Sequence, residues 1–219
     1  MANPPNHPSP SPQPCSNLPL PTELRFSILQ HVLQHHDNIQ ISNFVADRIA
    51  YEKRYRRLLS LAAVSKEFRV DAFTVFASTN VFEATGGLSL THLLKTLSPL
   101  GRANLVHLKV VFPAALGLID VRELKAAIPM LAAECPKVKL TLSLHATYLR
   151  RLSGPHVGQS TRRAAAGVGH ISRTPGALLL KQLAGFKGTE LVWCYEARDL
   201  THGKFRREAE VWLADGQET

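Results

Sequence analysis

Between Leu18 and Phe76 the large apolar residues recur at three- and four-residue intervals, the period of helices that bury one face. Leu24, Ile28 and Val32 form one stripe and Phe26, Leu29 and Leu33 an adjacent one, which predicts a helix over 22–36. Pro21 precedes it, Thr22 is the candidate N-cap, and Glu23 suits the positive end of the helix dipole. Phe44, Arg48, Tyr51, Tyr55, Leu58 and Ala62 predict a second helix over 41–63, either continuous or broken near Arg57. Ser65 opens a third, with Phe68, Ala72, Phe73 and Phe76 facing inward.

After residue 78 the period changes. Thr79–Ala84, Asn104–Phe112 and Glu190–Tyr195 read as strands. Lys137–Leu144 alternates apolar Val138, Leu140, Leu142 and Leu144 with polar neighbours, the pattern of a half-exposed strand. Helical stretches lie between them, at 90–97, from Asp120 as N-cap to Cys135, and at 178–186. A last short helix is expected from Phe205 to Leu213. Strands joined by helical crossovers should run parallel. The fold class expected is α+β: a helical module over 18–78, then a small α/β region over 79–197. That region resembles a few degenerate leucine-rich-type repeats, or a one-layer α/β sheet. Residues 1–17, rich in Pro, Ser and Asn, are expected to be a disordered tail, and 198–219 a C-terminal helix and tail.

Charge changes this picture in one place. The chain carries a formal +9, yet no acidic residue stands between Glu134 and Glu190, where nine basic residues lie. Within it a Gly- and Arg-rich loop is expected at 147–173, with Arg150, Arg151, Arg162 and Arg163 as candidate anion-binding residues. The segment 135–189 therefore supports a second reading, a nucleic-acid-binding protein. Tyr148 is the sole aromatic residue of the loop, so base stacking finds little support there. A second basic run, Arg48, Lys53, Arg54, Arg56 and Arg57, lies on the second helix. It reads as a nuclear-localisation signal, a phosphate contact, or a solvated face with Asp47 and Glu52 as partners.

Chemistry is sparse. Three distant cysteines, Cys15, Cys135 and Cys194, do not suggest a disulfide framework. His31 and His35 have metal-ligand spacing on a helix, but no third ligand is evident nearby. Gly167-Val168-Gly169 lacks the third glycine of a dinucleotide fingerprint. No cofactor, metal or catalytic constellation is expected. The start of the chain lacks a signal-peptide pattern and no apolar run is long enough to span a membrane. A cytoplasmic or nuclear location without membrane association is the expectation.

The two halves of the N-terminal pattern carry a resemblance. Leu20-Pro21, Glu23-Leu24, Ile28-Leu29 and Val32-Leu33, followed later by Leu58, Leu59, Leu61, Val64, Lys66, Phe68 and Arg69, resemble the F-box. The style, with a spacer over 34–57, is similar to that of fungal F-box-like proteins. The resemblance implies a non-catalytic substrate receptor that docks on the adaptor subunit of a cullin-type ubiquitin ligase and presents a target protein for ubiquitin-dependent degradation. The implied adaptor-binding residues are Leu20, Pro21, Leu24, Ile28, Leu61, Val64 and Phe68. The pattern alone does not separate adaptor contacts from core residues.

Overall fold

The computed structural model describes residues 20–41, 45–112, 119–145, 175–193, 207 and 210–214. Its elements are α1 (Thr22–Leu33), β1 (Ile39–Ile41), α2 (Val45–Ala62), α3 (Lys66–Thr79), β2 (Val81–Thr85) and α4 (Gly86–Thr96). They continue with α5 (Pro99–Ala103), β3 (His107–Phe112), α6 (Ile119–Glu134), β4 (Lys139–Leu144), α7 (Pro175–Ala184) and β5 (Glu190–Trp193). Residues 210–214 form a terminal helical turn. The chain is a mixed helix-and-strand fold, as the change of period predicts.

The five strands form one sheet, every pair parallel, and their spatial order is their chain order. Register sorts the side chains into two faces. Ile41, Ala84, Val110, Leu142 and Leu191 stand in one row across the sheet. Ile39, Phe82, Leu108 and Leu140 stand in the next. These rows join the core that α4, α6 and α7 contribute to from Leu90, Leu93, Leu94, Leu124, Leu131, Leu180 and Leu183. Each fully buried Leu or Phe of this kind contributes roughly 1.5–3 kcal/mol. The opposite face is mixed: Gln40, Glu83, Lys109, Thr141 and Glu190 form a polar row in register, with Lys109 paired to Glu83 at 3.0 Å, while Val81, Val111 and Val192 stand in the rows beside it.

Local chemistry sets the element ends. Ser65 Oγ accepts from the Phe68 amide at 3.1 Å and starts α3, as the sequence predicts. Ser98 does the same for Gly101, with Pro99 opening α5. Strand β2 turns into α4 without a loop, through Gly86 at φ 75°, a conformation that disfavours any side chain with a Cβ.

Several expectations are corrected. The 18–78 segment is not purely helical. Ile39–Ile41, inside the 34–57 spacer, forms β1 and pairs with β2. Helix α1 stops at Leu33 rather than 36, because Asn80 reaches the turn that follows. Its Oδ1 accepts from the His35 amide at 2.8 Å, and its Nδ2 donates to the carbonyls of Leu33 at 3.0 Å and Phe76 at 2.8 Å. Pro21, not Thr22, occupies the N-cap of α1, and Asp120 lies inside α6 instead of before it. Of the two readings left open for the second helix the continuous one is found, since α2 runs unbroken through Arg57. Strand β4 is less exposed than its alternation predicts, since Ser143 is buried. The expected tail 1–17, the loop 147–173 and most of 198–219 lie outside the described residues.

Tyr51 is an irregularity in this core. It is 1% exposed and stacks on Tyr55 with ring centroids 5.9 Å apart, yet its hydroxyl has no hydrogen-bond partner. Burial, and then Tyr55, push its pKa up, so the phenol stays neutral. Tyr55, by contrast, donates to the Thr96 carbonyl at 2.9 Å. A buried hydroxyl without a partner costs about 1–3 kcal/mol, and a satisfied one contributes about 1 kcal/mol. Tyr51→Phe is therefore expected to leave stability unchanged or raise it by about 1 kcal/mol, and Tyr55→Phe to lower it by about the same amount. Urea unfolding of both variants checks the pair.

Candidate docking surface

The two halves of the N-terminal motif, far apart in sequence, pack side by side as α1 on α3. Arg25 makes the join. Its Nε donates to Asp71 Oδ2 of α3 at 2.9 Å, with both side chains largely buried. Its Nη1 donates to the carbonyl of Leu20 at 3.0 Å and lies 3.7 Å from Glu67. One guanidinium thus fixes the Leu20-Pro21 approach to α1 and ties that helix to α3. The arginine of the motif itself, Arg69, donates to the Ala62 carbonyl at 3.1 Å and caps the end of α2.

Within this frame α1 divides cleanly. Leu29 and Leu33 are fully buried. Leu20, Leu24 and Ile28 are 45%, 53% and 46% exposed, and Pro21 is exposed beside them. Val64, in the turn before α3, is 66% exposed. Leu61 and Phe68 are half-buried and pack against the core. Of the seven residues the resemblance implies, five are free of the core and two serve it in part. Leucine and isoleucine repeating at helical spacing on an open edge are suited to a partner's apolar groove. They offer no nucleophile, acid or base.

Sequence reasoning missed Arg25. An arginine between Leu24 and Phe26 on an amphipathic helix reads as a solvated charge, and nothing local points to an acid 46 residues away.

The basic segment 135–189 is described only in part. Arg150, Arg151, Arg162 and Arg163 lie outside the described residues. Lys137, Lys139 and Lys187 line an open cleft of about 530 Å³ between the end of α6, the start of β4 and the turn after α7. Cys135 lies on its wall, buried, and burial pushes its thiol pKa up to about 11. Only the thiolate alkylates, so Cys135 is expected to react slowly with iodoacetamide at neutral pH and faster as pH rises toward 11. Urea should abolish this protection. Mass spectrometry of the Cys135 peptide reads the rate, and equal rates in native and unfolded protein would contradict its burial.

His31 is exposed and His35 half-buried. Among the described residues no three His, Cys, Asp or Glu side chains are grouped to hold a metal ion. No described helix is long and apolar enough to cross a membrane. Compared with known proteins, the chain matches no family, no curated protein and no solved structure.

Proposed function

We propose that the protein is a non-catalytic, F-box-like substrate receptor. In this reading the α1 edge docks on the adaptor subunit of a cullin-RING ubiquitin ligase, and the region from β2 onward holds a target protein. One observation carries the reading. The motif residues a simple helical subdomain would bury, Leu20, Pro21, Leu24 and Ile28, stand in solvent, while Arg25 holds their backbone against α3. The leucine-rich-like reading of the second region draws support from strands that follow one another in order along one parallel sheet. No cofactor is required, and the location that fits is the cytoplasm or nucleus.

Co-expression with the adaptor and co-purification tests it. Wild type is expected to form a complex. Leu20→Ala with Pro21→Ala is expected to lose it while keeping the wild-type circular dichroism spectrum. No complex from folded wild-type protein would overturn the reading.

A further inference from the structure

The outward face of α2 carries a cationic ridge that the adaptor reading does not use. Tyr51, Leu58 and Ala62 anchor the inner face of the helix in the core. Lys53, Arg56, Arg57 and Ser60 are exposed, and their spacing sets them together on the outer face. Arg54 and Arg57 also stand near the turn between α1 and β1. There burial, then Arg54, Arg57 and His36, hold the His35 pKa below its ordinary value.

These cations differ from three part-buried ones in the fold. Arg25 pairs with Asp71, Arg102 with Glu134 and Lys109 with Glu83. Among the described residues no carboxylate lies within 4 Å of Lys53, Arg54, Arg56 or Arg57 in an ion pair. The ridge is also not purely polar. Ile49, one turn before Lys53, is 59% exposed, and Leu59, one turn after Arg56, is 44% exposed.

We propose that the outer face of α2 docks an acidic protein segment bearing apolar side chains. Carboxylates of such a segment would meet Lys53, Arg56 and Arg57, and its apolar residues would cover Ile49 and Leu59. Electrostatic complementarity would steer and orient the encounter. A nucleic acid fits less well. Phosphates would satisfy the cations but leave Ile49 and Leu59 in water, and Tyr51 and Tyr55 are turned into the core and cannot stack on bases. The inference does not rest on the adaptor reading, because α1 and α2 pack separately on α3 and none of Ile49, Lys53, Arg56, Arg57 and Leu59 is among the seven implied adaptor contacts, although Leu59 belongs to the wider motif.

The test uses the full chain and fluorescence anisotropy with two dye-labelled probes. One is a peptide of repeated Glu-Leu-Asp-Phe units, the other a DNA duplex of matched charge. The peptide is expected to bind more tightly than the duplex at physiological salt. Lys53→Glu with Arg57→Glu is expected to weaken peptide binding by about tenfold or more, an effect that salt diminishes. Ile49→Ser with Leu59→Ser is expected to weaken it about three- to fivefold at every salt concentration. Both variant pairs alter outward side chains and should keep the wild-type circular dichroism spectrum. If the duplex binds more tightly and the apolar pair has no effect, the face belongs to nucleic acid and the proposal fails. If neither probe responds to the charge reversal, the ridge is a solvated helix face and the proposal also fails.

Discussion

Asn80→Ala is expected to cost about 3–5 kcal/mol of folding stability. The asparagine is 1% exposed and stands where α1, α3 and the lead into β1 meet. Its amide group satisfies the His35 amide and the carbonyls of Leu33 and Phe76. Truncation leaves those three backbone groups without a partner, and each buried unsatisfied group costs about 1–3 kcal/mol before water or relaxation compensates. Asn80→Asp sharpens the point. A carboxylate oxygen would then face two carbonyl oxygens instead of donating to them. Repulsion and burial would raise the folded-state pKa of that new acid, so its stability deficit should deepen as pH rises. Gln34→Ala, at an exposed neighbour, should stay within about 0.5 kcal/mol of wild type. Urea unfolding across pH measures all three. A loss below about 1 kcal/mol for Asn80→Ala would contradict the account of how α1 ends.

The second large effect is on binding rather than folding. Leu24→Asp with Ile28→Asp is expected to leave stability within about 1 kcal/mol, because both side chains are about half exposed. The same pair is expected to weaken adaptor binding at least 100-fold. Burying a leucine and an isoleucine in a groove contributes roughly 1.5–3 kcal/mol each, and 1.4 kcal/mol is a factor of ten. Leu29→Ala should show the reverse. Leu29 is 0% exposed, and truncating a buried leucine costs about 2–5 kcal/mol. Isothermal titration against the adaptor, paired with urea unfolding, separates the two residue classes that the apolar pattern alone left mixed.

The elements legible in the sequence are those whose identity is local. Ser65 marks the start of α3 because its own hydroxyl makes the cap. The alternation of Leu140, Leu142 and Leu144 marks β4, and β-branched Val110 and Val111 help mark β3. What escaped is non-local. Strand β1 has three residues, and its extended state follows from pairing with Phe82–Ala84. The end of α1 depends on Asn80, 45 residues beyond the His35 amide it accepts from. Helix α5 is five residues long, too short to show a period. The candidate site was legible as a set of residues but not as a surface. Which leucines face water is decided by how α1 lies on α3, and that depends on the Arg25–Asp71 pair.

The most direct test is hydrogen exchange of the full chain with and without the adaptor. If the open edge of α1 is the docking surface, the adaptor should slow exchange at the amides of residues 22–28 and in the turn around Val64, and leave β3 and β4 unchanged. Exchange that is unaltered over 22–28 while the adaptor is present at saturating concentration would contradict the account.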